Sequence, residues 1–75
     1  MDIQEFIRQF AEQFDDTDPA DIQAGTKFQE LEDWSSLTAM GIIAFVKTSY
    51  GKTVTGLEIR SCSTVEELFH LVLNK

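Results

Sequence analysis

Residues 31–51, Leu-Glu-Asp-Trp-Ser-Ser-Leu-Thr-Ala-Met-Gly-Ile-Ile-Ala-Phe-Val-Lys-Thr-Ser-Tyr-Gly, decide the fold class. From Ser36 the stretch is apolar at Leu37, Ala39, Met40, Ile42, Ile43, Ala44, Phe45 and Val46, reaches Tyr50, and stops at Gly51, which suits a left-handed helix cap. The β-branched Ile42, Ile43 and Val46 would tolerate a strand. No period-two alternation is present, however, and about fifteen residues is long for a strand. The pattern predicts a helix. Lys47 is its only charge, so it reads as a central helix touching neighbours on most sides. Gly41 within it costs about 1 kcal/mol relative to Ala, which requires a close approach at that point, by another part of the fold before an external partner.

Upstream, Ile3, Phe6, Ile7, Phe10, Ala11 and Phe14 recur at spacings of three and four and predict a helix over residues 2–14. Asp2 and Glu5 resemble a capping box at its start, and Asp15, Asp16, Asp18 and Pro19 end it. Residues 15–35 then form a connection long enough to need pinning. Phe28, Leu31 and Trp34 would supply it through one helical turn, leaving Glu30, Glu32 and Asp33 in water. Downstream, Thr55 with Glu58 and Thr64 with Glu67 are two capping boxes. The first opens a short helix over about 56–60. The second opens a closing helix with Val65, Leu68, Phe69, Val72 and Leu73 on one stripe. The expectation is an all-α, small four-helix bundle forming a single domain over residues 1–75, with a long loop between helices one and two and a short third helix.

Composition narrows the function. A chain of 75 residues with 13 acids, 6 bases and net charge −7 is one domain that buries only about 60% of its unfolded surface. Its single Cys excludes an internal disulfide framework, no spaced Cys/His set suggests zinc, and a reducing cytoplasm is the expected location. No apolar run approaches the ~18 residues of a membrane span, and the acidic start Met1-Asp2-Ile3-Gln4-Glu5 is unlike a secretory signal. Singly scattered bases on an acidic chain argue against nucleic acid. Residues 1–36 hold ten acids and two bases, net −8, and residues 37–75 hold three acids and four bases, net +1, so a docking face for a basic partner draws on the first half. Asp15, Asp16, Asp18 and Asp21 lack the loop glycine and closing Glu of a calcium loop, so no metal site is expected. Cys62 and His70 have no third group to orient them, and neither is given a catalytic role.

Ser36 is the informative hydroxyl. A phosphate esterified to it would meet unpaired backbone N–H groups and the positive end of a helix dipole. The plainer alternative is capping by Ser35 or Ser36.

From Phe28 to Leu73 the sequence resembles the acyl carrier protein family, in which an Asp-Ser-Leu motif opens the second of four helices. Ser36 and Leu37 match Ser-Leu. Met40, Ile42, Ile43, Val46 and Tyr50 fall where that family has apolar residues. Thr53–Ile59 resembles its loop and short third helix, and Thr64–Leu73 its closing helix. Glu30–Leu37, of the form Glu-Leu-x-x-Trp-x-Ser-Leu, is similar to a subset of free-standing bacterial carriers. The resemblance implies a monomeric, non-enzymatic carrier. Its Ser36 would receive 4′-phosphopantetheine from coenzyme A and hold an acyl or related carboxylic group as a thioester, in fatty-acid or polyketide biosynthesis. The implied partners are a phosphopantetheinyl transferase and acyl-activating, condensing or acyl-transfer enzymes. An amino-acyl or peptidyl carrier, and an unmodified helical interaction module of the same fold, are the alternatives.

Two departures from the family stand out. Its Asp before the modified Ser is Ser35 here, removing a carboxylate that helps present the site; Asp33 or Glu32 substitutes for it, or the transferase contacts differ. The acidic ladder of helix two is also missing, since Thr38, Gly41, Lys47 and Thr48 occupy its expected outer side. Glu30, Glu32 and Asp33 before the helix and Glu58, Glu66 and Glu67 after it remain. Docking is therefore expected at Glu30, Glu32, Asp33, Leu37, Met40, Gly41 and Glu58, with a more apolar contact to a dedicated partner set. Family members can shelter cargo between helices two and three, which implies a lining of Ile42, Val46, Leu57, Ile59 and Cys62, or else ordinary core at each.

Overall fold

Phe6 is the hub of the packing in the computed structural model, which describes residues 2–75. Its ring centroid lies 5.2 Å from Phe69, 5.5 Å from Phe45, 5.9 Å from Tyr50 and 6.1 Å from Phe10. These rings come from three helices: α1 (Ile3–Ala11), α2 (Ser36–Tyr50) and α4 (Val65–Leu73). The short α3 (Gly56–Arg60) and two single 3-10 turns, Pro19–Asp21 and Phe28–Glu30, complete an all-helical architecture with no strand among the described residues. A second run of rings leaves this hub: Phe10 to Phe28 at 5.4 Å, then Phe28 to Trp34 at 5.0 Å. Such pairs add about 0.5–1.5 kcal/mol each beyond the apolar area they bury.

α1 ends at Ala11, three residues before the expected stop. The chain tightens there, with Gln13 N donating to Phe10 O and Phe14 N to Ala11 O, both at 3.1 Å, so Phe14 stays buried although the α-helix has ended. Asp2 caps the helix through Gln4 N at 3.1 Å. Glu5 does not close the expected box, because Arg8 and Gln9, one turn ahead, take its carboxylate.

The long connection is pinned by polar as well as apolar contacts. Gln29 Nε2 lies 3.1, 3.2 and 2.6 Å from the carbonyl oxygens of Ile59, Arg60 and Cys62, so it caps the end of α3. The carbonyls of Ala24 and Thr26 accept from Glu66 N at 2.9 Å and Val65 N at 3.2 Å, supplying the start of α4. The helical turn is shorter than expected. Leu31 is already extended (φ −70°, ψ 140°), and while Phe28 is fully buried, Leu31 and Trp34 are half-buried. Glu30 and Glu32 do face water, but Asp33 is half-buried, and its Oδ2 accepts from Asp16 N at 2.8 Å and Thr17 Oγ1 at 3.5 Å.

α2 has the expected bounds, closed by Gly51 at φ 68° with its N–H donating to Lys47 O at 3.0 Å. It is not enclosed on most sides. Thr38, Ile42, Phe45 and Val46 are buried, yet Leu37 is 76% and Met40 64% exposed, so much of its apolar content is surface. The approach to Gly41 comes from within the fold: a Cβ there would stand 2.6 Å from Gln13 Oε1, the far end of a flexible side chain. Thr55 and Glu58 form both halves of their box. At α4, Thr64 Oγ1 accepts from Glu67 N at 3.2 Å, but Glu67 Oε1 reaches back one residue further, to Ser63 N at 2.7 Å. Leu73, assigned to the buried stripe, is exposed. No described helix is long and apolar enough to cross a membrane, and no described group of three or more His, Cys, Asp or Glu could hold a metal ion.

Candidate functional site

The start of α2 separates two adjacent serines by role. Ser35 is extended (φ −155°, ψ 172°) and is the N-cap: its Oγ accepts from Thr38 N at 3.3 Å, and its carbonyl accepts from Ala39 N at 3.0 Å. Thr38 Oγ1 donates to Asp33 O at 3.2 Å, which leaves the Ser35 hydroxyl proton for Thr38 Oγ1, also at 3.2 Å. This knot is possible because Thr38 is a small polar residue buried one turn into the helix. Ser36, the first helical residue, is exposed, and its hydroxyl makes no hydrogen bond to any described residue. Capping thus falls to Ser35, and Ser36 is left free. With the Thr38 and Ala39 N–H groups accepted by Ser35, those of Ser36 and Leu37 have no acceptor among the described residues and are open to an anion.

Ser36 also borders a cleft of about 270 Å³ between α2 and α3. Ala39, Met40 and Ile43 of α2 line it with Gly56, Ile59 and Arg60 of α3, and Trp34 and Ser35 line it as well. Among the residues expected to line a cargo pocket, only Ile59 borders this cleft. Ile42, Val46 and Cys62 are buried core, the other reading open for them, and Leu57 is 71% exposed. Sequence reasoning passed over Trp34, Ala39, Ile43, Gly56 and Arg60 as lining. The available signal was positional: Ser36, Ala39, Met40 and Ile43 stand at i, i+3, i+4 and i+7, the stripe that continues the serine's own face.

The expected docking residues divide. Leu37 and Met40, one turn apart, are exposed, as are Glu30 and Glu32, which make no ion pair with described residues. Three others are engaged by the fold itself. Asp33 is held by the loop, and Gly41 is half-buried under Gln13. Glu58 accepts from Thr55 N at 3.0 Å and pairs with Lys75 at 2.7 Å, and Lys75 first, then the Thr55 N–H, holds its carboxyl below the usual carboxylate range. Cys62 is buried, which pushes its thiol pKa up, away from nucleophilic use. His70 is exposed on α4 with its ring against Phe69 at 5.9 Å.

Comparison with protein-family models, curated proteins and solved structures finds no match to this chain.

Proposed function

We propose that this chain is a carrier of acyl-carrier type, in which Ser36 anchors a 4′-phosphopantetheine arm derived from coenzyme A. The observation that supports this reading is the division of labour at the helix start: Ser35 satisfies the cap and Ser36 stands exposed and unbonded. In the attachment step Ser36 Oγ forms a bond to the pantetheine-bearing phosphorus of coenzyme A. The pyrophosphate P–O bond breaks, adenosine 3′,5′-bisphosphate leaves, and the hydroxyl proton passes to the transferase or solvent. Once attached, the arm supplies a thiol that can hold a carboxylic acid as a thioester, and the tether raises its effective concentration at each docked enzyme.

The chain's own residues hold and present that root. The open N–H groups of Ser36 and Leu37 and the α2 dipole favour a phosphodiester there. Thr38, Ser35 and the Asp33 carbonyl fix where the helix begins. Trp34, packed on Phe28, sets the approach of the loop. Leu37 and Met40 offer apolar contact, and Glu30 and Glu32 face a basic rim on the enzyme. The replacement of the family's Asp by Ser35 keeps the capping function, because Ser and Asp are comparable N-caps.

The exposed Leu37, Met40 and Leu57 would equally serve an unmodified interaction module. Intact mass after incubation with coenzyme A and a broad-specificity phosphopantetheinyl transferase decides between them. The carrier gains one phosphopantetheine increment that disappears in Ser36→Ala; a chain that stays unmodified is the module.

A further inference from the structure

Arg60 ends α3 and, among the described residues, is the only charged one lining the cleft that Ser36 borders. Its backbone is fixed, since Gln29 Nε2 donates to Arg60 O at 3.2 Å and also binds the flanking Ile59 and Cys62 carbonyls. Its side chain is exposed and uncommitted: the ion pairs among the described residues are Arg8 with Glu5 and Glu12, and Lys75 with Glu58. Glu30 borders the adjoining depression with Arg60 and makes no ion pair with it. An unpaired guanidinium on a fixed backbone and an unbonded serine therefore line the same largely apolar cleft.

We infer that Arg60 is a positioning residue for the arm, its guanidinium pairing with the phosphodiester on Ser36 and laying the first segment of the arm along the cleft. This rests on the carrier reading. An arginine suits the role because its planar fork matches two phosphate oxygens. The need for a counter-ion is real, since the phosphodiester enters the acidic half of the chain, residues 1–36, where net charge is −8 from ten acids and two bases. The apolar walls at Met40, Ile43 and Ile59 then receive the gem-dimethyl segment beyond the phosphate.

The test uses the full chain, labelled with ¹⁵N, before and after loading from coenzyme A, with loading verified by mass. The Arg60 Nε–Hε resonance shifts on loading, and its side chain gives Overhauser contacts to the pantetheine methyl groups. Both effects survive in Glu30→Gln. Arg60→Gln removes the contacts, Arg60→Lys retains them in part, and at about 1 M salt, where the screening length falls to about 3 Å, the shift drops by at least half. A loaded chain whose Arg60 resonance stays in place, or whose shift vanishes in Glu30→Gln, overturns the inference and leaves the carrier standing. A chain that takes up no mass removes the carrier reading and this inference together.

Discussion

Gln29 Nε2 donates to the carbonyl of Cys62 at 2.6 Å across 33 residues, joining the long connection to the end of α3. The same amide reaches the Ile59 and Arg60 carbonyls, so one side chain with two donor hydrogens serves three acceptors. Gln29→Ala should destabilise the chain by about 1–2 kcal/mol, at ~1 kcal/mol for each hydrogen bond lost. For a domain of this size each kcal/mol lowers Tm by about 4–8 °C. Thermal melting followed by circular dichroism checks this, and amide exchange in α3 should quicken more than in α1. Equal acceleration in both helices would argue against a local clamp.

The two serines should respond oppositely to removal. Ser35→Ala loses the cap and about 1 kcal/mol of stability. Ser36→Ala changes stability by less than about 0.5 kcal/mol, as expected of a surface residue without partners, while abolishing the mass increment from coenzyme A. Ser35→Asp keeps the cap and places a carboxylate at the positive end of α2, so stability holds or rises slightly. Urea midpoints and intact mass on the same samples separate these effects.

Gly41→Ala sets helix propensity, about 1 kcal/mol in favour of Ala, against a Cβ that would stand 2.6 Å from Gln13 Oε1. The obstruction is the far end of a flexible side chain, held only by Gln13 Nε2 donating to Gln9 O at 3.2 Å. Gln13 can swing aside, so the variant should be stabilised by roughly 0.5 kcal/mol, short of the full propensity gain. Combining it with Gln13→Ala should recover the rest. A destabilised Gly41→Ala in chemical denaturation would mean the amide is fixed more firmly than one bond accounts for.

Glu58 should give stability an acid limb. Its folded pKa is depressed, first by Lys75 and then by the Thr55 N–H, so its contribution is complete above the ordinary carboxylate pKa. That contribution is lost as pH falls through the lower folded value. Glu58→Gln should therefore reduce the drop in urea midpoint between about pH 7 and about pH 3. An unchanged drop would show that the Lys75 pair at 2.7 Å is fully screened by solvent.

Local chemistry was readable from the chain and distant contact was not. Gly51, Thr55 and Thr64 mark the ends of α2, α3 and α4 because each acts within a few residues of itself. The end of α1 is harder to read, because Phe14 keeps the helical spacing through a tighter turn that hydropathy does not register. Leu37 and Met40 are exposed, as a docking role requires, whereas an apolar run read only for its hydropathy places them in the same enclosed helix as Ile42 and Val46. Gln29 and Asp33 act over separations of 33 and 17 residues, which no local pattern encodes. Of the residues read as cargo lining or ordinary core, Ile42 and Val46 are core, while the cleft is lined by the stripe running from Ser36 through Ala39, Met40 and Ile43.

Trp34 lines the α2–α3 cleft and is the chain's only tryptophan. The molecule therefore contains a built-in optical gauge, since emission from that single indole reports whatever settles into or quits the space beside it. Occupancy can be followed by light in unlabelled material, with the Phe28 ring, its centroid 5.0 Å from that of Trp34, keeping the emitter in register.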